Sequence, residues 1–170
     1  GTLMEITTDI SLKGTAWNTA IEKLSDIFKT RPNYMIYMLS LSIGIMYDKR
    51  EEKLPIADGE EIRSVPRNVI RNNDNGKLDF MFQAAILSTT TEQFSEEERL
   101  DLAFGEKTDF KKIEFLTQFA NFGVTKLIEY IGDTPIESME NIKNFFALTV
   151  EGRNLEIDAL PDDILLGDEI

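Results

Sequence analysis

From Tyr34 to Tyr47 the chain reads YMIYMLSLSIGIMY, fourteen residues without a charge in a 170-residue sequence whose formal net charge is −13. A segment apolar on every side must be covered on every side, so it reads as a helix running through the middle of a domain. It is too short for a bilayer, which takes about 20 apolar residues in a helix. Pro32 sets its start, because a proline in the first helical turn gives up a donor that would be unpaired anyway. The charged block DKREEK at 48–53 sets its end, predicting a helix over about 32–48. On that helix Ser40 and Gly44, four residues apart, form a narrow strip where a second helix can approach closely.

The longest periodic segment supplies a partner. In DFKKIEFLTQFANFGVTKLIEYIG, Ile113, Leu116, Ala120, Gly123, Leu127 and Tyr130 recur at spacings of three and four, and Phe115, Phe119 and Phe122 cover an adjacent face. This predicts a second buried helix over about 109–131, stopped by Gly132. Glycine inside a helix costs about 1 kcal/mol relative to alanine. Close packing is the natural compensation, and Ser40 and Gly44 are expected to meet Gly123.

Elsewhere the patterns are shorter. Met4, Ile6, Thr8, Ile10 and Leu12 alternate with polar residues, predicting a strand or extended arm over about 3–12. Trp17, Ile21, Leu24 and Phe28 predict a helix over about 15–29 with Thr15 as its cap. Residues 54–65 read as a loop with a turn at Asp58-Gly59, and 66–72 as a short helix opened by Pro66. The run NNDNG at 72–76 is a turn and no calcium loop, since Arg71 and Phe82 stand where an aspartate and a glutamate are needed. Leu78, Met81, Phe82, Ala85 and Ile86 predict a helix over 77–89. Ser95 with Glu98 forms a capping box for a helix reaching about 104 and ended by Gly105, and Glu96, Glu97 and Glu98 suit the positive end of its dipole. Thr134-Pro135 opens a helix to about Phe146, after which ALTVEGRNLEID reads as strand, turn and strand over about 147–158. The expected fold is mainly α: a single-domain helical bundle over 1–160 around the two buried helices, with small β elements at 3–12 and 147–158, and an acidic tail over 161–170.

The chain has no cysteine and no histidine. A thiol nucleophile, the usual zinc sites, an imidazole base and a serine triad are therefore excluded. No glycine-rich phosphate loop occurs, and Glu51-Glu52-Lys53, the nearest string to a magnesium nuclease site, lacks an apolar strand around it. The expectation is a chain with no catalytic residue, no metal and no cofactor. Without a charged-then-apolar leader or cysteines, it is expected in the cytoplasm and off the membrane.

Charge is unevenly placed. Residues 1–50 carry 5 acids and 6 bases, whereas 151–170 carry 7 acids and 1 base. In the tail LEIDALPDDILLGDEI, Leu160, Ile164, Leu165 and Leu166 sit among the acids. It reads either as a solvated terminus or as a docking peptide whose apolar residues enter a partner's groove. Overall acidity opposes nonspecific nucleic-acid binding unless a local basic face outweighs it. One basic string exists, Lys49, Arg50, Lys53, Arg63, Arg67 and Arg71, with Glu51, Glu52, Asp58, Glu60 and Glu61 mixed into it. It is either a phosphate-contacting face or a set of cations paired with neighbouring acids.

Three segments in this order, an apolar helix ending GIMYDKREEKLPI, then EIRSVPRNVI, then LTQFANFGVTKLIEYI, carry a resemblance. Together they resemble DNA phosphorothioation-associated protein 4, a small family from bacterial phosphorothioation gene clusters. The family's pattern of a small residue, a tyrosine and a basic pair before leucine or proline is matched by Gly44, Tyr47, Lys49, Arg50, Leu54 and Pro55. Its later E-Y-A-N-x-G helix is matched by Gln118, Phe119, Ala120, Asn121 and Gly123, with glutamine and phenylalanine replacing glutamate and tyrosine. The resemblance spans about residues 28–132. It implies a phosphorothioate-linked phage-defence or restriction setting, and a small accessory protein there rather than the sulfur-transfer enzyme, which would use cysteine.

Two functional classes follow. The first is a non-catalytic adaptor that binds other proteins of a DNA-modification or defence complex. The second is a DNA-contacting module or regulator using the basic string on phosphates. A third, an acidic mimic of DNA, rests on net charge alone, and the acids are spread along the chain rather than gathered on one face. Oligomeric state is left open by the sequence.

Overall fold

A computed structural model describes residues 4–106 and 109–154 of the chain. It is mainly helical, and the chain divides into two compact units, Gly1–Glu129 and Tyr130–Ile170. Within the first unit the order is β1 (Ile10–Leu12), α1 (Thr15–Leu24), α2 (Pro32–Tyr47), β2 (Arg63–Val65), α3 (Arg67–Asn73), α4 (Lys77–Ser88), α5 (Glu96–Phe104) and α6 (Lys112–Leu127). None of the helices is long and apolar enough to cross a membrane among the described residues.

The uncharged run folds as α2, and its Tyr34, Ile36, Tyr37, Ser40, Leu41, Ile43 and Gly44 are buried. Against it lies α6, which buries residues all round, including Phe115, Leu116, Phe119, Ala120, Phe122, Gly123 and Leu127. The two backbones touch. A methyl group at Gly44 would sit 1.9 Å from the Phe119 carbonyl oxygen, and one at Gly123 would sit 1.6 Å from that of Ser40. Both separations are far inside van der Waals contact, so only glycine fits at either place. Trp17 of α1 stacks on Tyr37 with ring centroids 6.3 Å apart and donates its Nε1 hydrogen to Asn121 Oδ1 at 2.9 Å. One face of α1 is thereby tied to both central helices.

Helix α1 ends at Leu24, five residues short of the expected boundary. Ile27 N donates to Leu24 O at 3.0 Å, a tighter turn than an α-helix makes, and the Ser25 hydroxyl bonds back to Ile21 O. Thr15 is the first helical residue rather than the cap, a position held by Gly14. The Thr15 hydroxyl instead donates to Glu60 Oε1 at 2.9 Å, beside the Asn18 amide on Glu60 Oε2 at 2.9 Å. Those bonds from Asn18 and Thr15 hold the Glu60 carboxyl below its ordinary range, so their contribution is present above the ordinary glutamate pKa and is lost as pH falls through the lower folded value.

Of the expected strand over 3–12, the described residues form a strand at Ile10–Leu12 and none over 4–9, and it pairs antiparallel with Arg63–Val65, inside the segment expected to be a loop. Before Ile10 the arm's backbone groups go to side chains instead of a ladder. Met4 N donates to Asp79 Oδ1 at 2.9 Å, while Ile6 O accepts from Arg71 Nε at 2.8 Å and Thr7 O from Arg67 Nη1 at 3.3 Å. Arginines of α3 thus do for the arm what a third strand would do.

Between α3 and α4 the turn NNDNG places Asn75 and Gly76 at positive φ and buries Asp74. Asp74 accepts from the Tyr34 hydroxyl at 2.5 Å and from Leu78 N at 3.0 Å, joining α2 to the first turn of α4. Burial and the bond to Asp74 push the Tyr34 phenol above its ordinary range, and burial does the same to Tyr37. Phe82 of α4, Phe110, Phe115 and Phe119 form a chain of ring contacts beside α6, with centroids 5.1 to 5.7 Å apart. Ser95 and Glu98 form the capping box of α5, and Gly105 follows its end. A 3-10 turn, Ile128–Tyr130, follows α6, which accounts for the early end of the expected 109–131 helix.

In the second unit α7 (Pro135–Asn154) runs through residues expected to form a strand and a turn. Once a helix is nucleated each added residue gains a hydrogen bond, and β-branched residues such as Thr149 and Val150 are weak arbiters without a strand to pair with. The rest of that expected β element, 155–158, lies outside the described residues. The Thr134 hydroxyl accepts from Glu137 N at 3.1 Å, Ser138 Oγ accepts from Gly132 N at 2.8 Å, and Phe145 packs on Tyr130 at 4.6 Å.

The crossing sets two opposed expectations for small changes. Gly123→Ala gains about 1 kcal/mol of helix propensity but forces two backbones apart, at a cost of about 3 kcal/mol; the urea midpoint falls. Ser40→Ala raises it, because Ser40 Oγ is buried with no hydrogen-bond partner among the described residues and an unpaired hydroxyl costs about 1 kcal/mol or more. For the raised phenols the neutral form is favoured in the fold, so their contribution is complete below the ordinary tyrosine pKa of about 10 and is lost as pH rises through the folded value. A phenolate absorbance titration is expected to show Tyr34 and Tyr37 still protonated at about pH 11, a fraction that Tyr34→Phe with Tyr37→Phe abolishes.

Candidate interaction surfaces

Asp48 ends α2 in the left-handed region at φ 52, which aspartate tolerates better than most residues. Its carboxylate accepts from Thr90 N at 2.8 Å and from the Thr90 hydroxyl at 2.5 Å. In the charged collar that follows, Lys49, Glu51, Glu52 and Lys53 are exposed and the Arg50 side chain turns inward. Arg50 stacks over Phe115 at 4.9 Å and Phe119 at 5.8 Å, and its Nε donates to Thr91 Oγ1 at 2.8 Å. Nη1 donates to Gln118 Oε1 at 2.6 Å, Nη2 pairs with Glu92, and only 17% of the side chain is exposed. A planar, five-donor cation is needed to meet those partners at once, which lysine cannot do.

The backbone of the collar is sewn to α6 as well. Glu51 N donates to Gln118 O at 2.9 Å, and Glu51 O accepts from Asn121 Nδ2 at 3.0 Å. Lys49 is exposed and its ammonium lies 5.6 Å over Phe122, whose ring also meets Tyr47 at 5.6 Å. Gly44, Tyr47, Lys49 and Arg50 on one side and Gln118, Phe119, Asn121 and Gly123 on the other therefore belong to one contact. Most of the residues that carry the resemblance lie at the α2–α6 crossing, whereas Leu54 and Pro55 lie against Gly14 and Thr15 at the start of α1.

The other cations of the basic string are dispersed. Arg63 Nε donates to Asn18 Oδ1 at 2.9 Å and lies 3.6 Å from Glu61. Arg67 and Arg71 hold the N-terminal arm, and Arg67 N also donates to Asp9 Oδ1 at 2.8 Å. Lys53 is exposed, in an irregular segment with Glu51 and Glu52. No face assembles all six. Sequence spacing placed the arginines near one another but could not show that Arg67 and Arg71 bind carbonyls 60 and 65 residues earlier. Leu160, Ile164, Leu165 and Leu166, the tail's candidate docking residues, lie outside the described residues.

Among the described residues no three acidic side chains gather in a way that could hold a metal ion. A groove of about 490 Å³ lies between the arm and the start of α6, lined by Ile6, Ile10, Phe110 and Ile113 with Glu5, Glu106, Lys111 and Lys112. Glu114 also lines it, 3.8 Å from the Lys111 ammonium, so charges of both signs are mixed along the groove.

Large apolar side chains are exposed on α4 and α5 in the first unit, and Ile136, Met139 and Leu148 of α7 are exposed in the second. Helix α4 buries Leu78, Phe82, Ala85 and Ile86 and leaves Phe80 67% exposed, with Leu87 also outward. Helix α5 buries Leu102 and Ala103 and leaves Leu100 and Phe104 more than half exposed. Exposed phenylalanines on neighbouring helices are the kind of surface that protein contacts use.

Fold and surfaces together define a mainly helical protein whose motif residues act in packing. Compared with protein-family models, with curated proteins and with solved structures, the chain finds no match in any of the three. The inward role of the Arg50 side chain has a direct check. Arg50→Lys, which keeps the charge, is expected to cost about 1 to 2 kcal/mol in urea denaturation, whereas Lys49→Ala stays within about 0.5 kcal/mol.

Proposed function

We propose that this protein is a non-catalytic accessory component of a bacterial DNA phosphorothioation-linked phage-defence or restriction system, and that it acts by binding other proteins. The setting rests on the resemblance over about residues 28–132. Its mode of action rests on one observation: the guanidinium groups of Arg50, Arg63, Arg67 and Arg71 are engaged with acceptors of this chain, those of Arg67 and Arg71 at the surface. In a chain of net charge −13, cations engaged in this way and dispersed among the described residues are a weak counterweight to its repulsion of phosphates. The large apolar side chains outward on α4 and α5 supply what a protein partner would cover.

A second reading is DNA contact through the collar, favoured by one observation. Lys49 and Lys126 lie 5.6 and 6.0 Å from the Phe122 ring, beside the exposed Tyr47, so cations and aromatics are interleaved there. Electrophoretic titration of the protein onto phosphorothioated and unmodified duplexes at about 50 mM salt separates the two. The adaptor reading predicts no shift with either duplex, and co-elution in gel filtration with a purified protein of the modification cluster. Salt-sensitive binding abolished by Lys49→Glu with Lys53→Glu would transfer the assignment to DNA contact.

A further inference from the structure

Helix α5, EEERLDLAF, is nine residues long and contains a single base, Arg99. That base points inward. Arg99 Nη1 donates to Ile86 O at 2.5 Å and Thr89 O at 2.9 Å, and Nη2 donates to Glu92 O at 3.1 Å. Its charge thus sits on the last carbonyls of α4, where the helix dipole is negative. What remains on the outward face is apolar and acidic only: Leu100 and Phe104, 56% and 55% exposed, flanked by Glu96, Glu97 and Asp101. Glu97, Leu100, Asp101 and Phe104 fall at the i, i+3, i+4 and i+7 positions of one stripe.

We propose that this face of α5 is a docking surface for an amphipathic helix of another protein, whose apolar stripe is flanked by lysines or arginines. The proposal deepens the adaptor reading and rests on it by naming the partner's chemistry. Spacing at i, i+3, i+4 and i+7 is the register by which helices recognise one another's apolar stripes. The acids decide the flanks, because they draw in a basic helix and turn away an acidic one. A second copy of this chain is a poor occupant on the same ground, since it would bring another net charge of −13. Glu98 is not part of the surface, being engaged with Ser95 in the capping box.

The test uses an 18-residue helix-forming peptide of leucine and lysine, with leucines on one stripe, and a control in which glutamate replaces lysine. Fluorescence anisotropy is expected to show binding of the Leu/Lys peptide and none of the Leu/Glu peptide. Leu100→Ser with Phe104→Ser is expected to weaken binding at least tenfold, and Glu97→Lys with Asp101→Lys to do the same. Glu22→Lys with Asp26→Lys, an equal charge change at exposed positions on and after α1, is expected to leave it within twofold. Circular dichroism establishes that each variant is folded; all the changed side chains are at the surface. Equal weakening by the Glu22/Asp26 pair would overturn the site, leaving only general attraction between opposite charges. A dimer in solution broken by Leu100→Ser with Phe104→Ser would overturn it by making the occupant a second copy. The DNA titration tests the adaptor reading separately: a duplex shift removes that reading, whereas peptide binding indifferent to Leu100 and Phe104 removes this surface alone.

Discussion

Where α2 crosses α6, Gly123 lies against the Ser40 carbonyl and Gly44 against the Phe119 carbonyl, with no side chain between the two backbones. Most of the first unit is arranged around that contact. It brings Tyr47 onto Phe122, lets Arg50 reach Gln118 across the aromatic edge of α6, and sets Asn121 between the Trp17 indole and the Glu51 carbonyl. A methyl group at either glycine would push the helices apart and lengthen several of these bonds together. Ser40 is the cost of the arrangement, since its hydroxyl is buried without a partner among the described residues.

Several arginines act as ties between segments. Arg50 fills the seam beside α6, Arg67 and Arg71 replace a missing strand for the N-terminal arm, and Arg99 caps α4. Arg50 and Arg99 are only partly exposed, whereas Arg67 and Arg71 are exposed while bound to the arm, and the net charge of −13 leaves negative charge dominant. For an adaptor this is a specification of partner: acidic surface interrupted by a few outward apolar side chains favours basic, amphipathic surfaces. For DNA contact it is an obstacle, because phosphates meet the net field before they meet Lys49 or Lys53.

Some of this could be read in the sequence, and the reason lies in the range of the interactions concerned. The uncharged run, the Ser95/Glu98 capping box and the turn at NNDNG are local patterns in which neighbours in sequence are neighbours in space. Ser40, Gly44 and Gly123 mark places where a backbone could come close, but which carbonyl meets which glycine is set by the crossing itself. Strand β2 was invisible because RSV is three residues long and has meaning only opposite Ile10–Leu12. The α7 residues 147–154 misled in the other direction: β-branched residues and Gly152 suggested a hairpin, while continuation of an existing helix decided the outcome. The candidate DNA-binding arginines were read as a group because they are close in sequence. Their acceptors, Ile6 O, Thr7 O, Asn18 and Gln118, are far away along the chain, and no spacing rule reaches them.

If the α2–α6 crossing is what the first unit depends on, its amides open last. Native-state hydrogen exchange measures this residue by residue. The slowest amides are expected in α2 and α6, with a common free energy of opening equal to that of global unfolding, while α3 and α5 open at lower free energy. Amides of α6 that exchange more readily than those of α4 or α5, with α2 left protected, would contradict the dependence of the fold on the crossing.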